Sequence, residues 1–231
     1  MNSCIIPARG GSKRIPHKNS KDFCGKPMLA HAIATAQASQ LFDQIYVSTD
    51  DAAIADIAHA HGAQVVVRPA KLADDYATTV AVIRHAIAEL GLSATTNVCC
   101  LYPCTPLLPV SVLAQSLANW QQSDSLYCLP VLAFDANILR ALKLDAHQQL
   151  ASVFGQYEQS RTQDLPQAYH DAGQFYWGKA ATWLTEASIH NHAIGFVLPK
   201  HSVVDIDDEA DWQFAEMMYR LRQGDHDARY H

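Results

Sequence analysis

Apolar and polar positions alternate along the chain in blocks that predict strands and amphipathic helices in turn. Cys4-Ile5-Ile6 is a continuous apolar run, the pattern of a strand covered on both faces. Residues 27–40 place Met28, Leu29, Ala32, Ile33 and Ala36 at helical spacing, with Pro27 suited to the first turn. Residues 44–48 predict a strand. Thr49-Asp50-Asp51 then opens a helix over 52–61, which Gly62 ends. A strand at 65–67, an acidic loop over 72–77 and a helix over 78–90 closed by Gly91 follow. Residues 98–102 are apolar enough for a central strand, broken by Pro103-Cys104-Thr105-Pro106. A helix over 110–120 and a strand over 125–131 continue the alternation.

From 133 to 169 the alternation stops. Short apolar pieces mix with Gln, Ser and Arg, which predicts an excursion from the sheet, a hairpin or arm. The sheet resumes over 172–177, with a helix at 179–187 and strands at 194–198 and 203–207. Residues 208–222 predict an amphipathic helix with Trp212, Phe214, Ala215, Met218 and Leu221 on its apolar side. The polar tail over 224–231 predicts a frayed end. The pattern is that of one α/β domain: a three-layer, doubly wound, mostly parallel sheet with a small inserted arm over about 134–170. Such sheets bind ligands at the carboxyl ends of their strands. The loop over 6–19, Arg68 and the loop over 102–106 all follow strands, so they are expected on one edge.

Composition narrows the chemistry. The 231 residues carry a formal net charge of −6, which excludes bulk binding to nucleic acid or an anionic membrane. No apolar stretch is long enough to span a bilayer, and Arg9 interrupts the first apolar run before a signal-peptide core forms. The six cysteines form no Cys-x-x-Cys pair, so reduced thiols and a cytoplasmic location are expected. His59 and His61 face different sides of their predicted helix and make no zinc pair.

Against this acidic background, residues 6–19 read IPARGGSKRIPHKN, with Arg9, Lys13, Arg14 and Lys18 in one loop. The Gly10-Gly11 pair is expected to bend the backbone and turn its N–H groups toward a ligand, as a triphosphate site requires. The plainer reading is a solvated basic loop. Asp205 and Asp207 flank Ile206, so an extended backbone puts both carboxylates on one face. Two carboxylates with phosphate oxygens and water suit Mg²⁺, although charges at a helix start read the same way. Asn19 suits a base edge or a turn cap, and Arg68 a ligand or plain solvent. Arg161 suits a sugar carboxylate or a rim salt bridge. His170 and Asp171 are adjacent on extended chain and point apart, which argues against a direct dyad. No nucleophile elbow, dinucleotide fingerprint or complete P-loop is present.

These motifs together carry a resemblance that spans nearly the whole chain. IPARGGSKRIPHKN, Val47-Ser48-Thr49-Asp50-Asp51, Arg68-Pro69-Ala70-Lys71-Leu72-Ala73-Asp74-Asp75 and Val204-Asp205-Ile206-Asp207 resemble the CMP-sialic acid synthetase family in order and spacing. The resemblance implies a homodimeric, Mg²⁺-dependent enzyme that joins CMP from CTP to a nine-carbon 2-keto sugar acid. Tyr102 stands where sialic acid enzymes have a sugar-contacting Gln, and the stretches 161–166 and 169–177 resemble the branch that takes pseudaminic acid. By position, the resemblance gives Arg9, Lys13 and Lys18 to the triphosphate and Asn19 to the cytosine. Arg68 and Thr79 go to the nucleoside, with Ala8 and Gly10 beside it. Tyr102, Arg161, His170 and Gln174 go to the sugar, and Asp205 and Asp207 to the metal. Arg9, Lys18 and Asp207 are the expected catalytic residues, with the sugar hydroxyl deprotonated by metal assistance or by His170. The arm is expected to reach the partner's active site. Synthetases for sialic or legionaminic acid, or a nucleotide-binding subunit without turnover, are the alternatives.

Overall fold

The apolar run at the start forms β1 (Asn2–Pro7), and its place in the sheet explains its composition. It lies between β4 (Gln44–Thr49) and β6 (Asn97–Leu101), parallel to both. Strands on both edges and helices over both faces leave Cys4, Ile5 and Ile6 fully buried. Each such aliphatic side chain contributes about 1.5–3 kcal/mol on leaving water. The computed structural model describes residues 1–74 and 76–224. Asp75 of the acidic loop and the expected frayed tail beyond Gly224 lie outside the described residues.

β5 (Gln64–Val67) closes one edge of the sheet beside β4. On the other side β6 pairs with β11 (Phe175–Lys179), β11 with β7 (Tyr127–Ala133), and β7 with β12 (Ala193–Val197). β10 (Tyr169–Asp171) pairs with the far end of β7. The eight-stranded sheet is mostly parallel, as its pattern predicted, but β10 and β11 run against their neighbours. That reversal matters for the site. Phe175 at the start of β11 is registered on Leu101 at the end of β6. Residues 172–174 therefore reach the same edge as the loops leaving β1, β5 and β6.

α1 (Met28–Ser39), α2 (Ala52–Ala60) and α4 (Val110–Gln121) cover one face around Leu29, Ile33, Leu113 and Trp177. α3 (Thr79–Glu89) and α5 (Ala180–Thr185) cover the other around Ile83, Tyr176 and Trp183. Pro27 precedes α1 as its cap rather than entering the first turn. Asp51 caps α2 by accepting from the Ile54 N–H.

A third, smaller cluster joins the two ends of the chain. α6 (Glu209–Gln223) starts with a capping box between Asp208 and Asp211 and packs Trp212 and Ala215 onto Ile15, Phe23 and Ile206. A short hairpin of β2 (Asp22–Phe23) and β3 (Lys26–Pro27) presents Phe23, whose ring meets Trp212 edge to face at 5.3 Å between centroids. Lys21 lies 4.4 Å from the Trp212 ring centroid and pairs with Glu209. This cluster fastens the basic loop to the acidic segment.

Two expectations change, and the hairpin is met. Residues 203–207 form no strand and pair with none among the described residues, although Ile206 is still buried between Asp205 and the half-exposed Asp207. Phe214 and Leu221 of α6 face outward, because this helix packs on loops through a narrow stripe rather than on a broad sheet face. The excursion is a hairpin of β8 (Leu142–Leu144) and β9 (Leu150–Ser152), which leaves Leu142, Leu144 and Leu150 exposed. Among the described residues no helix is long and apolar enough to cross a membrane.

Candidate active site

The loops leaving β1, β5 and β6 enclose, with the start of α3 and residues from 173 and 205–207, a cavity of about 640 Å³. Arg9, Lys13, Arg14 and Lys18 line it together with Asp205 and Asp207. Arg68, Thr79, Tyr102 and Asn19 complete the predicted residues that border it. Its size is that of an ordinary small-molecule site.

The basic loop is held by its own backbone and by one amide. The Ala8 N–H donates to Ser48 O at 3.0 Å, extending the β1–β4 pairing by one residue, and Ala8 is buried. Asn19 donates from Nδ2 to Arg9 O at 2.9 Å and accepts from Cys104 Sγ at 3.4 Å. Its amide thus braces the loop. The glycines act differently from the expected N–H cradle. Neither Gly10 nor Gly11 has a positive φ, and the Gly10 N–H points at Asp50 Oδ1, 3.2 Å away. Gly10 is required by space: a Cβ there would sit 2.6 Å from Asp51 Oδ2.

Opposite charges meet where the two ends of the chain converge. Arg14 donates to Asp207 Oδ1 at 2.7 Å, and Lys18 Nζ donates to Ile206 O at 2.6 Å. Burial pushes the Asp205 carboxyl above the usual carboxylate range; Asp207 adds to this, and Lys18 opposes it. Gly173, with φ of +61°, leaves room beside Asp205, since a Cβ there would lie 3.2 Å from its Oδ2. Among the described residues no cluster of three or more His, Cys, Asp or Glu side chains is able to hold a metal alone. The pair nevertheless fits Mg²⁺. Two hard oxygen donors face a cavity, a like charge raises one of them, and substrate phosphates with water would complete the shell. Arg14 would have to leave Asp207 Oδ1 for that purpose.

Arg68 is buried and donates to Ser48 O at 2.6 Å. Desolvation lowers its pKa, Asp50 opposes the shift, and a guanidinium stays charged at neutral pH. Thr79 Oγ1 and the Tyr102 hydroxyl are 2.8 Å apart. Burial pushes the Tyr102 hydroxyl up to about 12, so it serves as a neutral hydrogen-bonding group.

The remaining predicted sugar residues do not line this cavity. Gln174 is buried, with Nε2 bonded to Ala172 O at 2.8 Å and Oε1 without a hydrogen-bond partner among the described residues. Arg161 forms an exposed pair with Asp164 at 2.6 Å. His170 is exposed, with Nδ1 2.9 Å from Asp171 O and its ring beside Phe134. Arg161 and His170 sit on or at the base of the arm, which leaves the sheet before reaching the cavity. The absence of a His170–Asp171 side-chain dyad follows the strand geometry; the Asp171 carboxylate bonds Tyr176 and Gly173 instead. Sequence reasoning assigned no role to Arg14, Cys104 or Gly173, which also border the cavity. Arg14 was visible as a loop cation. Gly173 was signalled by nothing but its glycine.

The comparisons with known proteins agree with this geometry. The family model described as Cytidylyltransferase matches residues 3–224. A pseudaminic acid cytidylyltransferase of Campylobacter jejuni subsp. jejuni serotype O:23/36 (strain 81-176) is 42% identical over 224 residues, covering 95% of this chain and 97% of the relative. An N-acylneuraminate cytidylyltransferase of Escherichia coli O18:K1:H7 (strain RS218 / NMEC) is 26% identical, covering 91% of this chain and 50% of the relative. A solved structure of CMP:2-keto-3-deoxy-manno-octonic acid synthetase complexed with CTP superposes with a TM-score of 0.70 at 15% identity, covering 96% of this chain and 99% of that one. A 4-diphosphocytidyl-2C-methyl-D-erythritol synthase gives 0.69 at 13% identity, covering 94% and 97%. These two establish the nucleotidyltransferase fold, and the family match over residues 3–224 establishes membership: the chain belongs to the cytidylyltransferase family.

Proposed function

We propose that this chain transfers the cytidylyl group of CTP to the anomeric hydroxyl of pseudaminic acid, releasing pyrophosphate. The observation that carries the substrate is 42% identity over nearly the full length of a relative with that name. The sugar oxygen attacks the α-phosphorus, and the bond from that phosphorus to the bridging oxygen of pyrophosphate breaks. The hydroxyl proton passes to solvent.

Arg9, Lys13, Arg14 and Lys18 bind the triphosphate and neutralise charge on the departing pyrophosphate. Asn19, Arg68 and Thr79 hold the nucleoside, against the backbone of Ala8 and Gly10. Tyr102 borders the sugar, with Gln174 behind the wall. Asp205 and Asp207 would hold Mg²⁺, which would supply Lewis-acid chemistry at the phosphates. The protein's contribution is positioning and charge, as in phosphoryl transfer generally.

The chain works as a homodimer in this reading. The exposed Leu142, Leu144 and Leu150 give the arm an apolar face suited to a second copy, and Arg161 and His170 travel with the arm toward that copy's cavity. The six free cysteines suit a reducing, cytoplasmic setting. Pyrophosphate release, assayed with CTP, Mg²⁺ and a panel of nine-carbon 2-keto acids, tests the proposal. Turnover is expected with pseudaminic acid ahead of sialic and legionaminic acids. Preference for either of the others overturns the substrate, and no turnover with any overturns the reaction.

A further inference from the structure

We propose that Arg14 couples nucleotide binding to metal loading: its guanidinium neutralises Asp207 in the free chain and is drawn off when a triphosphate enters the cavity. The inference rests on the reading of the basic loop as the triphosphate site and of Asp205 and Asp207 as the metal pair; it adds how the two sites fill. Arg14 Nη2 donates to Asp207 Oδ1 at 2.7 Å, and both residues line the one cavity. The chain on either side of the contact is held without it. Ile15 and Ile206, the neighbours of the pair, are buried in the same small apolar cluster. Lys18 Nζ donates to Ile206 O at 2.6 Å, and the Asp207 N–H donates to Asp211 Oδ2 at 3.0 Å. Both backbones are therefore pinned, while the Arg14 side chain is 66% exposed and has solvent to swing through.

Charge gives the contact a consequence. A guanidinium and a divalent cation compete for the same carboxylate, so Arg14 weakens cation binding to the free chain. An exposed pair of this kind sets the scale of the competition at about fivefold. A triphosphate presents several anionic oxygens, and a guanidinium pairs with two of them at once. Bound nucleotide therefore outcompetes one exposed carboxylate for Arg14 and leaves Asp207 open to a cation. The coupling is reciprocal. Whatever releases Arg14 from Asp207 strengthens the hold on the triphosphate, and whatever removes Arg14 strengthens the hold on the cation.

The test measures each ligand without the other. Mn²⁺ is titrated into the nucleotide-free chain and followed by electron paramagnetic resonance of the unbound ion. Arg14→Gln is expected to bind Mn²⁺ about fivefold tighter than wild type. Lys21→Gln, which removes a nearby cation that pairs with Glu209 instead, is expected to stay within about twofold. CTP is then titrated by calorimetry in excess EDTA. Asp207→Asn is expected to bind CTP about fivefold tighter than wild type, because Arg14 is released, and to lose that gain in an Arg14→Gln background. Mn²⁺ affinity that is unchanged or weaker in Arg14→Gln overturns the inference. So does an Mn²⁺ gain of equal size in Lys21→Gln, or a CTP gain of equal size with and without Arg14, since either is a plain change of net charge. Where Mn²⁺ alone binds too weakly to measure, the CTP cycle decides. A wild type that binds both ligands, with variants that do not differ from it, removes this inference alone. A wild type that does not bind CTP removes the functional reading as well.

Discussion

The Arg14 guanidinium lies 2.7 Å from Asp207 Oδ1, an ion pair between residues 193 apart in sequence. Both side chains are largely exposed, so the pair contributes little to stability. Its meaning is electrostatic: the basic loop supplies Asp207 with a counter-charge that a divalent ion bound there would have to replace. Arg14→Ala is expected to leave the melting temperature within about 2–4 °C of wild type, the equivalent of about 1 kcal/mol for a chain of this size. The same variant is expected to raise KM for CTP about tenfold through the lost phosphate contact. Thermal melts and initial rates check both.

Asp207→Asn and Asp205→Asn keep the shape of the acidic pair and remove its charge. Each is expected to lower kcat by about 100-fold or more, in the range of losing a transition-state charge contact. CTP binding measured by calorimetry is expected to persist, because the basic loop is untouched. Near-wild-type kcat in both variants removes the metal role.

Gly173→Ala tests the room beside Asp205. The position has φ of +61°, and the new Cβ would lie 3.2 Å from Asp205 Oδ2. The left-handed conformation alone costs an L-residue about 1–2 kcal/mol, which lowers the melting temperature by about 2–8 °C here. A drop in activity beyond that of the equally destabilised Gly91→Ala, where φ is +58° and nothing crowds the added carbon, is expected in assays well below the melting point.

The Asp205 carboxyl is raised above 3.8, by burial first and then by Asp207. The folded chain therefore holds this proton more tightly than the unfolded chain does. The stability it contributes is fully present below the unfolded pKa and is lost as pH rises through the folded one. With no metal or nucleotide added, Asp205→Asn is expected to gain stability relative to wild type as pH rises from about 3.8 toward neutrality. Paired thermal melts across that range check the sign.

The arm carries the dimer prediction. Leu144 and Leu150 are registered opposite each other in the β8–β9 hairpin and are both exposed. Light scattering is expected to give twice the chain mass for wild type and one chain mass for Leu144→Asp/Leu150→Asp.

Local signals in the sequence were strong enough for the sheet strands, the major helices and the basic loop, because each rests on periodicity or on dense charge. The Asp205–Ile206–Asp207 alternation survives even without a strand partner, since burying Ile206 is enough to orient its neighbours. What was not legible depends on contacts between distant segments. Phe23 and Ile15 look like loop residues, yet they pack on Trp212 and Ile206 and so bring Arg14 to Asp207. The reversal of β11 leaves no mark on its own apolar pattern, so the arrival of Gly173 beside Asp205 was hidden. Arg161 was placed by guanidinium chemistry and resemblance and His170 by resemblance, and on a single chain both stay with the arm, Arg161 in an exposed pair with Asp164.

The central claim is that the cationic loop and the acidic pair act on one bound CTP during transfer to pseudaminic acid. The most direct measurement is pyrophosphate release from CTP, Mg²⁺ and pseudaminic acid, with the CMP-sugar product identified by mass. The account predicts stoichiometric pyrophosphate and CMP-pseudaminic acid, lost when Mg²⁺ is chelated. Pyrophosphate release that is independent of both the sugar and the metal would contradict it.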